Sequence, residues 1–473
     1  MIGNIKNQDQ ELLFEQSIKR PLEEAAKYKC VNLVVGVPFY NETHTLPLVL
    51  KVVEDSLFPT HKRDEVLITC VGDPAGVEAL ETVKNMELRY PHLEFLMLPG
   101  SNGRGMSIRA ILEVANKLDA DLVLLTADSV RQKGTGLQVD SLPRLLDPLQ
   151  EGYDLVLTTF QRQDYEDLLG NLFLKPLFET FYRYKITDPL CGIYAISHDL
   201  VEDYCTAIKF WVDHTRGFGI DPWLITTAIM LDRRICEVPL GFKMEPASLD
   251  KLIYLFKDFA SFMFERIKRD EEYWSGKKCL IHSPDICGLE PNQEPLTAQI
   301  YETRALIHQF RNGFNQYYSI LAEACPPNIL TALERSALSP TRDFYLDEET
   351  WVNVVYSLLF HYSFSPDASK EDLLDALTAV FCGRMASFLE HLENIQEKLA
   401  IEKSTYAAAI IASQAEYKKE EQRRCFLQNS TWFIKKWREK AWEHKPPIIP
   451  ADYLEFIPGK PIILPKTIQW RGQ

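Results

Sequence analysis

The chain has 473 residues, 46% of them hydrophobic and 25% charged, with a formal net charge of −15. Length and composition describe a globular protein of two or three domains with a large core. The acidic balance excludes a nucleic-acid-binding body, which would carry a basic face. No apolar run approaches the roughly 18 residues of a membrane span, and the start, MIGNIKNQDQELLFEQ, lacks the charged end and apolar middle of a signal peptide. The cytoplasm is therefore the expected location. The ten cysteines contain no C-x-x-C pair and read as free thiols, not as a zinc site.

Residues 1–29 are polar and helix-prone, with Pro21 opening the run LEEAAKY, and predict an N-terminal helical arm. From Val31, short apolar runs alternate with amphipathic segments. Strands are predicted at 31–37, 66–71, 94–98, 122–126 and 154–159, and helices at 44–56, 75–90, 104–117 and 140–150. Such alternation gives a mainly parallel α/β sheet with helices on both faces. After about 255 the β signal fades. A helix is expected over 256–274 and a loop rich in Gly, Pro and Cys over 275–297. Helix packs on helix from 298, where Met385, Phe388, Leu392, Ile395 and Leu399 recur at steps of three and four. The domain boundaries read as 1–29, 30–265, 266–445 (all-helical) and a Pro-rich extended tail, 446–473.

In an open α/β sheet, ligands lie beyond the carboxyl ends of the strands. That rule separates two acidic candidates around the strand at Leu122–Leu125. Asp119-Ala120-Asp121 looks like a D-x-D metal motif but precedes the strand, on the far rim. Asp128 follows the strand and is the expected anchor of a divalent cation beneath a nucleotide-sugar diphosphate. The first strand runs into Pro38-Phe39-Tyr40-Asn41-Glu42. Pro38 fixes the turn and Glu42 can accept hydrogen bonds from a base or ribose, or else serve the first turn of the next helix. Asp73 can bind base or ribose, or simply make a turn before Pro74. Gly100-Ser101-Asn102-Gly103-Arg104-Gly105 opens a helix. Its glycines, the helix N-terminus and Arg104 suit a diphosphate, although the pattern is neither a P-loop nor a dinucleotide fingerprint.

These pieces, in this order, resemble the nucleotide-diphospho-sugar transferases of GT-A fold over about residues 31–265. Later stretches narrow the resemblance: Gln161-Arg162-Gln163, Asp188-Pro189-Leu190-Cys191-Gly192-Ile193-Tyr194, Gly219-Ile220-Asp221-Pro222 and Gly241-Phe242-Lys243-Met244-Glu245. They look like the glucosylglycerate and mannosylglycerate synthase type. Gly383-Arg384-Met385-Ala386-Ser387-Phe388 is similar to the helical extension of that group, or is an ordinary packed helix. The resemblance implies a GT-A (Rossmann-like) domain plus an all-helical C-terminal domain. It implies donor contacts at Pro38, Tyr40, Glu42, Asp73, Gly103, Arg104 and Ala127, and Mg²⁺ or Mn²⁺ held by Asp128 and Glu245. It places Arg162, Gly192 and Asp221 in the acceptor region. Arg162 would fork to an acceptor carboxylate, and Asp221 would hold an acceptor or sugar hydroxyl. On the residues alone, Arg162 reads equally as a surface residue, Asp221 as the cap of a helix at Pro222, and Glu245 as an exposed loop carboxylate.

Two departures from the pattern stand out. Thr126 takes the first acidic position of D-x-D, leaving Thr126-Ala127-Asp128, and Glu245 stands where the resemblance expects His. Glu remains a good oxygen donor for Mg²⁺ or Mn²⁺. The expected function is metal-dependent, retaining transfer of a hexose from a UDP-, GDP- or ADP-sugar to a small, hydroxylated, anionic, glycerate-like acceptor. The expected partners are those small molecules, with no nucleic acid. The alternative is a non-catalytic nucleotide-sugar binder whose helical domain binds a partner, a reading that Thr126 favours. The helical domain either covers the acceptor side or builds a homodimer.

Overall fold

A computed structural model describes residues 2–130, 136–162, 167–211, 213–243, 248–276, 280–291, 302–366, 368–401 and 405–443. In chain order the first elements are α1 (Ile2–Ala25), β1 (Leu33–Phe39), α2 (Leu46–Leu57), β2 (Val66–Gly72), α3 (Val77–Lys84) and β3 (His92–Leu96). Next come α4 (Arg104–Lys117), β4 (Asp121–Leu124), α5 (Ser141–Gln150) and β5 (Leu155–Gln161). A short α6 (Lys175–Leu177) follows, between two π turns at Gly170–Leu174 and Phe178–Tyr182. Then come β6 (Tyr194–Ile196), α7 (His198–Ala207), α8 (Ile220–Met230), β7 (Ile235–Phe242), α9 (Leu249–Arg269), α10 (Glu271–Gly276) and β8 (Asp285–Ile286). The remainder is helical: α11 (Thr303–Gln316), α12 (Tyr318–Ala324), α13 (Pro327–Leu338), α14 (Glu348–Phe364), α15 (Lys370–Ile401) and α16 (Ala407–Glu443).

Contacts divide the chain into two units that interleave in sequence. The first comprises Met1–Arg162, Thr187–Met244 and Ser283–Leu296; the second comprises Gln163–Ile186, Glu245–His282 and Thr297–Gln473. This division differs from the single boundary at 265 drawn from the sequence. Residues 167–186 carry apolar runs that read as part of an α/β domain, yet they belong with the helices of the second unit.

In the first unit the described strands form one eight-stranded sheet of order β3-β2-β1-β4-β6-β5-β7-β8. All pairings are parallel except those of β6, which runs antiparallel to both β4 and β5. β1, β2 and β7 are buried along their whole length, the pattern of strands covered on both faces. One face carries α2 and α5: Val35 and Val37 of β1 pack with Leu46, Val49, Leu50 and Val53 of α2 and Leu142 and Leu145 of α5. The other carries α4, whose Ile108, Ile111 and Leu112 are buried. The mainly parallel sheet with helices on both faces, with an all-helical region after it, is the architecture that the GT-A resemblance implies.

The structure runs α1 unbroken through Pro21, where the sequence suggested a helix start. Phe14, Ile18 and Ala25 are buried on either side of the proline, and that packing holds the helix across the one missing backbone donor. Arg109, on α4, donates to Glu11 at 2.7 Å, and its guanidinium lies 3.8 Å from the Phe14 ring centroid. The Ser17 hydroxyl accepts the N–H of Leu98 at 3.0 Å.

In the second unit the 383–388 pattern lies in the interior. Arg384, 1% exposed, donates to Glu348 at 2.6 Å, to Gln422 at 2.8 Å and to the Leu346 carbonyl at 2.9 Å. Ser387 accepts the Leu346 N–H at 2.6 Å. The motif thus ties the chain entering α14 to α15 and α16. Among the described residues, no helix is long and apolar enough to cross a membrane. The Pro-rich tail expected at 446–473 lies outside the described residues.

Candidate functional site

The strand order reverses direction between β1 and β4: from β1 the chain builds outward through β2 and β3, then returns to β4 on the other side. The crevice beyond the carboxyl ends of these two strands is where a doubly wound sheet binds ligands. Leu125 still donates to the Gly36 carbonyl at 2.9 Å, and the chain then turns, with Ser129 N–H donating to the Thr126 carbonyl at 3.0 Å. Asp128, half-buried, stands on that turn. Asp121 instead opens β4 at the far rim, where its carboxylate accepts the His198 N–H at 2.9 Å and starts α7. Asp121 of the 119–121 D-A-D is therefore engaged at the start of α7, alongside the N-cap Ser197.

Arg104 and Asp221, expected to serve donor and acceptor separately, meet at the carboxyl rim. Arg104 forks onto Asp221, with Nε to Oδ2 and Nη2 to Oδ1 both at 3.1 Å. Tyr194, buried, donates its hydroxyl to Asp221 Oδ1 at 2.9 Å. Burial pulls the guanidinium's pKa down, but Asp221, Tyr194 and Asp128 together raise it above the ordinary arginine value. Burial and the Asp221 charge push the Tyr194 hydroxyl well above the ordinary tyrosine range, so it stays a donor. Gly192 closes the cluster. At φ 69° it suits glycine, and a Cβ there would lie 2.8 Å from Thr126 Cγ2 and 3.5 Å from Arg104 Nη2. Thr126, Gly192, Arg104, Asp221 and Tyr194 are thus one contiguous patch beside Asp128.

The glycine-rich loop has a second physical cause. A Cβ at Gly103 (φ 116°) would lie 2.5 Å from the Arg216 carbonyl oxygen, and one at Gly105 would lie 2.0 Å from that of Thr215. Both glycines let α4 start directly against the backbone at 215–216. The Gly103 N–H, at the start of α4, donates to Asp73 Oδ2 at 3.3 Å, while Asp73 Oδ1 accepts the Ala75 N–H at 3.1 Å. Asp73 is thus a turn former whose carboxylate also meets the start of α4. Glu42 accepts the N–H groups of Tyr40 at 2.7 Å and Asn41 at 3.1 Å, closing its own turn after β1. Pro38 is buried within β1, opposite Val71, and Tyr40 is 52% exposed. Ala127 is buried on the Asp128 turn.

Further along the same rim, Arg162 follows β5. Its Nη2 and Nε donate to Asp188 Oδ2 at 2.8 and 3.3 Å, and both side chains are nearly buried. Lys243 follows β7 next to it, since the two strands end in register at Gln161 and Phe242. Lys243 is 8% exposed, and its Nζ lies 5.6 Å from the Phe160 ring centroid. Lys243, Tyr194 and Asp188 are rim residues that stand inside the quoted stretches but have no individual role in the sequence analysis. The signal for Lys243 was present: a cation directly after a fully apolar strand end. Tyr194 and Asp188 carried none beyond their neighbours.

As a cation site, the Asp128 turn offers hard oxygen donors. The Thr126 and Ser129 hydroxyls are buried there without hydrogen-bond partners among the described residues, beside the Asp128 carboxylate. The Asp128 carboxylate by itself fits Mg²⁺ or Mn²⁺, which take few protein ligands and keep several waters. Glu245 lies outside the described residues. Among the described residues, no group of three His, Cys, Asp or Glu side chains is placed to hold a metal by itself.

No protein-family model matches the chain, and no curated protein matches it. Solved structures do. Glucosyl-3-phosphoglycerate synthase from Mycobacterium tuberculosis, in complex with Mn²⁺, UDP-glucose and phosphoglyceric acid, is 20% identical over 52% of this chain and 83% of its own, at a TM-score of 0.36. The same synthase with Mn²⁺, UDP and glucosyl-3-phosphoglycerate is 21% identical over 52% and 84%, at 0.37. A crystal structure described only as a mycobacterial protein is 18% identical over 52% and 78%, at 0.38. TM-scores this low carry no weight for the activity of this chain.

Proposed function

We propose that the chain is a glycosyltransferase that moves a hexose from a nucleotide-diphospho-sugar to a small, hydroxylated, anionic acceptor, with a divalent cation held at Asp128. One observation carries this reading: Asp128, Thr126, Arg104, Gly192 and Asp221 converge at the carboxyl rim where the strand order reverses. The nucleotide would lie over the ends of β1 and β2, near Pro38, Tyr40, Glu42 and Asp73. A cation bound by Asp128, with the Thr126 hydroxyl and Glu245, would act as a Lewis acid on the departing diphosphate. Arg104, fixed in its fork with Asp221, would offer its remaining guanidinium N–H groups to the same place. Arg162 and Lys243 leave adjacent strand ends, with Arg162 paired to Asp188; placing two cations on this side, in a chain of net charge −15, would suit an anionic, glycerate-like acceptor. Attack from the leaving-group face, with retention of anomeric configuration, completes the reading.

The test is a donor screen. The full chain is incubated with UDP-, GDP- and ADP-hexoses, Mn²⁺ or Mg²⁺ and glycerate or phosphoglycerate, and nucleoside diphosphate release is followed. Release that disappears in Asp128→Ala is expected. No release with any donor, together with no metal-dependent nucleotide binding, refutes the enzyme.

A second reading rests on a specific observation. Both oxygens of Asp221 and two nitrogens of Arg104 are occupied by one another and by Tyr194. A chain that keeps this network closed would bind the nucleotide and leave the sugar unreacted. Nucleotide binding without release in the same screen selects that reading.

A further inference from the structure

The first unit carries a cavity at the other end of its strands. It has a volume of about 550 Å³ and is lined by Phe58, His61, Lys62, Arg63, Leu88, Arg89 and Tyr90. Residues 61–63 belong to the loop entering β2, and 88–90 to the loop entering β3, so the cavity lies at the amino ends of the parallel strands, away from Asp128. The two loops are fastened together. Tyr90 donates its hydroxyl to the His61 carbonyl at 3.1 Å. The buried Glu54 carboxylate accepts the N–H groups of Arg89 and, at 3.4 Å, of Tyr90. This fixes the backbone beneath Arg89, whose guanidinium lies 4.7 Å from the Phe58 ring centroid. Phe58 itself is 63% exposed, a large apolar ring left open beside cations.

Lys62, Arg63 and Arg89 gather here in a chain whose net charge is −15. Their acidic neighbours are Asp55, 3.9 Å from Arg89, Glu65, 3.3 Å from the exposed Lys62 ammonium and also accepting the Lys62 N–H at 2.9 Å, Asp64 next to Arg63 in the chain, and Glu54, whose buried carboxylate is taken up by the backbone N–H groups beneath Arg89. Arg63 has no ion pair among the described residues. Exposed pairs of this kind are weak and yield to a stronger anion. Guanidinium groups match phosphate oxygens by paired donors, and an aromatic ring with a stacked guanidinium suits a planar heterocycle. The volume falls in the range of small-molecule sites.

We propose that this cavity binds a nucleoside phosphate, with its phosphates on Arg63, Arg89 and Lys62 and its base against Phe58. The site is separate from the carboxyl rim and does not depend on the activity assigned there. It places a nucleotide effector on the loops that lead into β2 and β3, the strands whose far ends carry Asp73 and Leu96.

The experiment is photolabelling of the full chain with 8-azido-ATP, followed by peptide mapping. Label within 58–63 or 88–90 is expected, with competition by excess ATP. It should fall at least fivefold in an Arg63→Glu/Arg89→Glu variant and persist in Asp128→Ala. Both arginines are exposed, so the variant should keep the wild-type melting temperature. Absence of label from both loops, or label that the double variant leaves unchanged, overturns the proposal. Label confined to the carboxyl rim overturns it as well and leaves the rim reading standing.

Discussion

Asp221 is committed to three hydrogen bonds, and its side chain is 7% exposed against 16% for Arg104. A carboxylate this deep is tolerable because it is paired, and removing one partner strands the other. Arg104→Ala should therefore cost about 3–5 kcal/mol of stability, measured by urea unfolding. Tyr194→Phe, which removes one donor to a charged acceptor, should cost about 1.5–3 kcal/mol. Replacing Arg104 and Asp221 together by Met and Leu should recover much of the Arg104→Ala loss. A double replacement as damaging as the sum of the singles would show that the two act independently. The sequence expects these residues at one rim and gives no sign of their pairing. The strand-end rule needs only the order of strands and turns and selects Asp128, the glycine-rich helix start points to Arg104, and Asp221 enters only through the resemblance. That residues 117 positions apart share a fork depends on how α4 and α8 approach one another, and no local pattern encodes that. Tyr194 carries no signal of its own in the sequence, because a tyrosine in a three-residue strand looks like any core aromatic.

At the scale of elements, the alternation of apolar runs located β1 to β5 within a few residues, because buried parallel strands are short, apolar and bounded by turns. β6 escaped: three residues antiparallel to both neighbours give no period to detect. The π turns at 170–182 escaped too, since the same apolar residues serve an α-helix equally well. The start of α4 shows how one local pattern can have two causes. The glycine pattern reads as a phosphate cradle, and the structure also gives it a packing reason. Gly105→Ala should destabilise the first unit by about 1–3 kcal/mol, because the new methyl meets a carbonyl oxygen at 2.0 Å. A variant as stable as the parent in thermal unfolding would show that the backbone at 215–216 is free to move aside. α1 is held by an aromatic anchor. Phe14→Ala removes a fully buried ring and the face that Arg109 covers, and should cost about 3–5 kcal/mol. Exposure of residues 9–25 to limited proteolysis would report the same loosening.

At the scale of the whole molecule, acid should act on the helical unit through Glu348. Burial raises its carboxyl, but Arg384 and Lys418 outweigh that and hold its pKa below the ordinary glutamate value. A depressed carboxylate contributes stability above the unfolded pKa and loses it as pH falls through the folded one. The second unit should thus weaken below about pH 4.5, the ordinary Glu range, and Glu348→Gln should flatten that dependence. A pH–stability curve for Glu348→Gln that parallels the parent would assign the acid sensitivity to other groups.

The two units also borrow chain from one another's span: the first recovers its last sheet strand only at Asp285–Ile286, after the second has already taken 163–186 and 245–282. A ribosome releasing this protein therefore cannot finish one unit before the next begins. A nascent chain stalled after α8, at residue 230, holds six of the strands and lacks β7, which pairs with the full length of β5. Its β5 edge is open, and open edges recruit other chains. Expression of a fragment cut at 265 leaves β8 missing and segments of the helical unit without their partners. The β5 edge stays open until β7, Ile235–Phe242, has been made.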